Sequence, residues 1–154
     1  MAMDGGMNTM DWKREAMDKL KCYAAKSTSF DRAREELERL EIEKTKIRSA
    51  TSDATPVSGG TNRREDAMIS NIVRREELKL AMKEARNWCR FVDSGLAELD
   101  AQERRILDLF YIHPAKGNVD RLCEELCLEK TRVYELKDKA LRHFTLALYG
   151  VVET

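Results

Sequence analysis

The residue types best suited to binding a ligand are concentrated between positions 130 and 142, which read KTRVYELKDKALR. Arginine can read guanine through two parallel hydrogen bonds, a carboxylate can accept from the cytosine amine, and lysine or hydroxyl groups anchor phosphates. On a helix in the major groove, the positions that point outward are Lys130, Thr131, Arg132, Tyr134, Glu135 and Asp138. Three more can follow the DNA backbone, namely Lys137, Lys139 and Arg142. The stretch is therefore predicted to be a DNA-reading helix.

Other kinds of chemistry have weaker support in this sequence. Cys123 and Cys127 are four residues apart on one predicted helix, and His113 and His143 are isolated. A structural zinc site usually needs four ligands in tight local pairs. The Ser-Gly-Gly run at 58–60 lacks the following Lys-Ser or Lys-Thr of a phosphate-binding loop. With no nucleophile–base motif either, we predict no enzyme activity, no metal site and no cofactor.

Composition narrows the class of protein. The 154 residues include 28 basic and 28 acidic side chains, so the strongly basic charge typical of many nucleic-acid-binding proteins is absent. Charged residues make up 36% of the chain and only two residues are proline. This favours long exposed helix faces over a β-sandwich or barrel. No run of about 18 apolar residues and no signal-peptide pattern occurs, so we expect a cytoplasmic protein without membrane contact.

The first two thirds of the chain are predicted to be two long helices. Residues 1–48 carry a narrow apolar stripe that resembles a coiled-coil seam and needs a partner. Its members are Phe30, Ala33, Leu37, Leu40 and Ile47. Polar residues at 27–29 mark a possible break, and residues 49–61 form a linker. The second helix, 62–95, is expected to end at Gly95 and to pack back on the first as a hairpin.

The last third, residues 96–150, has the pattern of a helix-turn-helix. Asp100 and Glu103 have capping-box spacing, and Pro114 is expected to stop the helix that they open. Asn118 is predicted to be the N-cap of the next helix. The apolar residues that would pack the two helices and their turn are Leu122, Cys123, Leu126, Leu128, Val133 and Leu136.

Residues 99–149 resemble region 4 of sigma-70-type RNA polymerase sigma factors, most clearly in the runs 99–111 and 133–141. The whole chain resembles the late-gene transcriptional regulators of the ArpU and RinA kind, from phages and prophages of low-GC Gram-positive bacteria. The resemblance implies binding to double-stranded promoter DNA and contact with RNA polymerase. The chain departs from the usual helix-turn-helix pattern at Cys127, where many relatives carry glycine, and at Glu129, where many carry serine or threonine.

The predicted fold class is therefore all-α: an N-terminal long helical hairpin or coiled coil, followed by a C-terminal sigma-region-4-like helix-turn-helix. The predicted function is sequence-specific regulation of phage or prophage transcription, with homo-oligomerisation through the N-terminal helices as an open possibility. Acidic and basic residues balance between 118 and 148, which predicts weak non-specific DNA affinity. Two alternatives remain: a small terminase-like DNA-packaging subunit, and a protein-interaction module such as an anti-sigma factor or adaptor.

Overall fold

The computed structural model describes residues 10–49 and 60–152. Within these ranges every regular element is helical, which confirms the all-α class. The elements are α1 (Trp12–Ser49), α2 (Gly60–Ala97), α3 (Ala101–Leu107) with a π-helical turn (Asp108–Ile112), α4 (Asn118–Leu126) and α5 (Lys130–Tyr149). Most of the predicted linker at 49–61 lies outside the described residues. None of the helices described is long and apolar enough to cross a membrane.

Residues 26–88 form one compact unit, in which α1 and α2 pack antiparallel as a hairpin. Lys26 Nζ lies 5.8 Å from the centre of the Trp88 ring, and Leu40 meets Asn71. Asn71 is buried; its Nδ2 donates to the Leu40 carbonyl oxygen at 2.8 Å, and its Oδ1 accepts from Arg75 Nε at 2.8 Å. The predicted stripe on α1 faces inward, because Leu40 is buried and its other members are half-buried.

No break interrupts α1 at 27–29, so the first helix is single. The Ser29 hydroxyl donates to the Lys26 carbonyl oxygen at 2.8 Å, one turn back along the helix. A serine that is satisfied in this way can remain inside a helix. The local preference of this polar run for a cap or turn is therefore overridden by the continuous apolar stripe on either side of it.

The flanking stretches form the second unit, in which the start of α1 and the end of α2 pack with α3, α4 and α5. Ala16, Leu20, Val92 and Phe144 are all fully buried. The centre of the Trp12 ring lies 4.8 Å from that of the Tyr149 ring, so the start of α1 contacts the end of α5.

A second link between α1 and α2 lies in the same unit. The Tyr23 hydroxyl donates to Asp93 Oδ1 at 2.6 Å. This hydrogen bond, together with burial, raises the pKa of Tyr23 to about 12. The phenol therefore stays protonated, and keeps donating to Asp93, throughout the neutral range of pH.

Gly95 does not end the second helix, which continues to Ala97. Gly95 is buried where α2 crosses α5, and a Cβ at this position would lie 2.6 Å from Leu148 Cδ2 and 2.8 Å from Phe144 Cε2. Contacts this short are not tolerated without movement of the neighbouring side chains. The glycine is therefore required by the close approach of two helices and is not a termination signal.

We expect Gly95→Ala to destabilise the protein by roughly 1 to 2 kcal/mol, because overpacking costs more than the gain in helix propensity. Chemical denaturation of the full chain measures the change. The double variant Gly95→Ala with Leu148→Ala removes one of the two clashing side chains, so its loss should be smaller than the sum of the single losses. An unchanged or raised stability of Gly95→Ala would contradict the proposed close packing.

The helices α3, α4 and α5 share a small core whose buried members are Ile106, Leu109, Leu122 and Val133. Half-buried residues pack against it, namely Phe110, Cys123, Leu126, Leu128 and Leu136. Every apolar residue that the helix-turn-helix pattern required thus belongs to one cluster. The predicted capping box is also present: Glu103 N–H donates to Asp100 Oδ1 at 2.8 Å, and Asp100 N–H donates to Glu103 Oε1 at 3.3 Å.

The connection between α3 and α4 differs from the prediction in one respect. Gly117, with φ of 85°, is the residue that caps α4, and Asn118 is the first helical residue. The Asn118 Nδ2 donates instead to the carbonyl oxygens of Leu109 at 2.9 Å and His113 at 3.0 Å. The π-helical turn before Pro114 widens the end of the helix, and Asn118 satisfies the carbonyl groups there.

Candidate nucleic-acid interface

The turn that joins α4 to α5 is closed by backbone hydrogen bonds. Leu128 N–H donates to the Cys123 carbonyl oxygen at 3.1 Å, which is the outer bond of a Schellman motif. Leu128 also packs against the three-helix core, as the hydrophobic contact of such a motif requires. Cys127 occupies the left-handed position with φ of 55° and ψ of 45°. The chain therefore accepts a left-handed cysteine where many helix-turn-helix proteins carry glycine.

Because left-handed backbone costs a non-glycine residue about 1–2 kcal/mol, Cys127→Gly should stabilise the protein. The greater freedom of glycine in the unfolded chain offsets part of this gain, leaving roughly 0.5 to 1 kcal/mol. Denaturant unfolding of the full chain measures the difference. Cys127→Ala is the matched control, since it removes the thiol but keeps the left-handed strain. Equal stability of the two variants would assign the effect to the thiol.

Glu129 is the N-cap residue that precedes α5, and its backbone is extended with φ of −74° and ψ of 155°. Its side chain makes no capping hydrogen bond to the helix. The N-terminus of a long helix attracts anions such as phosphate, through both its N–H groups and its dipole. The Glu129 carboxylate opposes that attraction, so the end of α5 is less favourable to phosphate than a serine-capped end would be.

The predicted reading residues lie on the exposed side of α5. Val133, Ala140 and Phe144 are buried, and 3.6 residues per turn place a different set on the opposite side of the helix. The residues of that outer set are Thr131, Glu135, Asp138 and Arg142. Lys130, Arg132, Tyr134 and Lys139 flank them and are likewise exposed. Eight of the nine predicted positions are therefore accessible to a groove or to a partner.

Lys137, the ninth position, is half-buried against aromatic rings. Its Nζ lies 5.4 Å from the centre of the Phe110 ring and 5.4 Å from that of Tyr134, which in turn packs edge-on to Phe110 at 5.6 Å. A lysine over aromatic faces gains cation–π attraction and has less freedom to follow a DNA backbone. The contact holds Tyr134 at the edge of the exposed face of α5.

Ion pairs partly compensate three acidic residues of this surface, namely Asp120, Glu135 and Asp138. Arg132 Nη1 lies 3.1 Å from Glu135 Oε2, and Lys137 Nζ lies 3.3 Å from Asp138 Oδ1. Across the turn, Lys130 Nζ lies 3.6 Å from Asp120 Oδ1 in the first turn of α4. Exposed pairs of this kind contribute at most about 1 kcal/mol each, so a ligand can exchange them at low cost. The two residues predicted to read bases, Arg132 and Glu135, thus hold each other in the free protein.

A stronger polar link fixes α4 against α3. The Arg105 guanidinium donates to both Glu125 carboxylate oxygens, at 2.9 and 3.0 Å. Arg121 Nε donates to Glu125 Oε1 at 3.1 Å. The hydrogen bonds from Arg105, and then those from Arg121, hold the pKa of Glu125 below its usual value. Sequence reasoning missed this link because residues 105 and 125 belong to different helices, although Arg121 and Glu125 have recognisable helix spacing.

Both histidines lie next to carboxylates, and one of the paired cysteines lies in the core. His113 Nδ1 lies 2.7 Å from Asp108 Oδ1, and His143 Nδ1 lies 2.8 Å from Glu103 Oε2. Cys123 packs on the three-helix core. Across residues 10–49 and 60–152, no three metal-binding side chains come together.

The chain was compared with known protein families, curated proteins and solved structures. A family model described as "Protein of unknown function (DUF1492)" matches residues 46–145. The matched region contains all of α2, α3 and α4 and most of α5, and so it includes the whole turn between α4 and α5. No curated protein and no solved structure matches the chain.

Proposed function

The chain belongs to the DUF1492 family, and we propose that it is a sequence-specific DNA-binding regulator of transcription. The resemblance to phage and prophage late-gene regulators supports a role at promoters of such genes, with RNA polymerase as a second partner. The proposed DNA ligand is double-stranded, because a helix-turn-helix presents its second helix to the major groove.

One observation carries this proposal: the exposed face of α5 is held on a packed helix-turn-helix core. Leu122 and Val133 are fully buried between the helices, while Thr131 and Arg132 beside them are exposed. A rigid core of this kind presents the start of the second helix to bases, as direct readout requires. The residue types on that start can make hydrogen bonds to guanine, to cytosine and to phosphate.

The Arg132–Glu135 pair suggests which bases are read. When the helix enters the groove, Arg132 can exchange its bond to Glu135 for two bonds to a guanine, and Glu135 can accept from a cytosine amine. The two side chains are one helical turn apart and form one exposed pair. We therefore expect the preferred site to contain neighbouring G·C and C·G base pairs, and Glu135→Gln to relax the preference at one of them.

A second function is favoured by the position of two carboxylates. Glu135 and Asp138 lie near the middle of the exposed face of α5, where a DNA phosphate would be repelled. A basic protein surface would fit these carboxylates, as in the adaptor or anti-sigma alternative. The two functions differ in their response to salt and to DNA sequence.

Titration of labelled double-stranded DNA with the full chain, repeated at several salt concentrations, tests the proposal. The DNA should come from the promoter region of neighbouring genes, with a shuffled sequence of the same composition as the control. We expect a clear preference for the promoter DNA that survives physiological salt, and a shallow salt dependence because few phosphates are neutralised. Equal and weak binding to both DNAs, lost at modest salt, would favour the protein-contact function.

A further inference from the structure

The outer face of α2 in the 26–88 unit carries exposed apolar residues. Ile69, Val73 and Leu80 expose 59%, 50% and 57% of their surface. Because successive residues turn by about 100° around a helix, these three share one side. Asn71 and Ala85, which are buried, lie on the opposite side. The exposed residues therefore form a stripe that points away from α1.

This stripe belongs to a longer repeat of alternating four-residue and three-residue steps, which is the spacing of a coiled-coil interface. All eight members are exposed, and together we call them the outer seam. They are Asn62, Asp66, Ile69, Val73, Glu76, Leu80, Lys83 and Asn87. The outer seam is polar at both ends, with Asp66 near one end and Lys83 near the other. Its middle is apolar except for Glu76.

We propose that a second copy of this chain binds along the outer seam, with the two α2 helices antiparallel and the twofold axis between positions 74 and 75. In this alignment Ile69 of one copy packs on Leu80 of the other. Asp66 lies opposite Lys83 of the second copy, and Asn62 lies opposite Asn87. Each of these pairs occurs twice because the contact is symmetric.

Charge selects this alignment over its neighbours. In a parallel arrangement Asp66 would face Asp66 and Lys83 would face Lys83, so like charges would repel. If the antiparallel alignment is shifted by one heptad in one direction, Asp66 lies opposite Glu76 of the second copy, and the two acids repel. In the other direction the shift places Ile69 opposite Asn87, which leaves an apolar side chain against an amide. Only the alignment about 74 and 75 pairs opposite charges and also keeps apolar residues together.

Glu76 sets the expected strength of this dimer. In the dimer, Glu76 of each copy lies opposite Val73 of the other copy, and these two pairs form the central layers of the outer seam. Lys79 Nζ lies 3.3 Å from Glu76 Oε1 in the same chain and compensates its charge. A charged residue at such a position lowers stability while restricting the pairing. We therefore expect a weak dimer that dissociates on dilution, and a much tighter one after Glu76→Leu.

Sedimentation velocity of the full chain without DNA, over a range of concentrations, tests the inference independently of the proposed function. Asp66→Lys and Lys83→Asp should each weaken the dimer about tenfold, because each change affects both symmetric pairs. Combining the two substitutions should restore the affinity, and Glu76→Leu should raise it at least about tenfold. Glu38→Lys, which makes the same kind of charge change at an exposed position of α1, is the control and should have little effect.

Restoration by the double variant separates antiparallel from parallel pairing, since a parallel dimer would keep like charges opposed after both changes. A dimer that is insensitive to Asp66→Lys and Lys83→Asp would overturn the assignment of the outer seam as the interface. Monomers at every concentration for both the native chain and Glu76→Leu would overturn the dimer itself. Circular dichroism of each variant confirms that it is folded before its mass is interpreted.

Discussion

Replacing Lys130 and Arg132 together by alanine is expected to lower the affinity for the preferred DNA site at least about 30-fold. A bidentate contact from arginine to guanine is worth about 1–3 kcal/mol, and loss of a lysine–phosphate contact weakens binding further. Both side chains are exposed at the start of α5, so their removal leaves the helix-turn-helix core intact. The slope of log affinity against log salt should also fall by about 1, because Lys130, one phosphate-neutralising group, is lost.

The matched control removes the same two charges from α1, as Lys21→Ala with Lys46→Ala, at positions that are also exposed. This control should bind the site nearly as well as the native chain, apart from a small effect of net charge. Labelled-DNA titration compares the three proteins under identical salt. Undiminished binding by a folded Lys130→Ala, Arg132→Ala variant would move the DNA contact away from α5. The basic residues of α2 would then be the next place to test.

Among the substitutions proposed for this protein, Leu122→Ala is expected to lower the free energy of unfolding the most, by about 2–5 kcal/mol. Leu122 is fully buried, with an exposed fraction of 0%. It lies in the cluster that joins α3, α4 and α5. Its removal leaves a cavity at the joint between the two helices of the proposed reading unit. Urea denaturation should show the lost stability, and DNA affinity should fall as well because α5 is no longer held in place.

Leu146→Ala provides the control for this prediction. Leu146 lies on α5 with 49% of its surface exposed, so the same truncation removes little buried area. Its effect should be within about 0.5 kcal/mol of zero. If Leu122→Ala were no more destabilising than Leu146→Ala, the three-helix cluster would not be the stabilising core of this unit.

Local patterns predicted the elements of the fold well. The narrow stripe on α1, the Asp100–Glu103 capping box and the apolar residues of the helix-turn-helix all depend on spacing within one helix or across one turn. The polar residues at 27–29 left open whether this region forms one helix or two, and the structure has one. These features could be predicted because helix geometry alone determines which nearby residues share a face or meet at a helix end.

Features that depend on contacts between distant residues could not be predicted. Gly95 has the residue type of a helix end, and only the approach of Phe144 and Leu148 explains why glycine is there. Asn118 has the residue type of an N-cap, but the π-helical turn brings two carbonyl groups within its reach. In the candidate interface the Arg132–Glu135 pair follows from helix spacing, whereas the partner of Lys130 does not, because it lies across the turn.

The buried Asn71 has a consequence for the rotation of α1 about its own axis. The acceptor of its Nδ2 is the backbone carbonyl oxygen of Leu40, which the Asn71 side chain can reach only while that side of α1 faces α2. A rotation that turned this oxygen away would leave a buried amide without a partner, which costs about 1–3 kcal/mol. Asn71 thereby favours one rotation of α1, and in an Asn71→Leu variant that choice would depend on apolar contact alone.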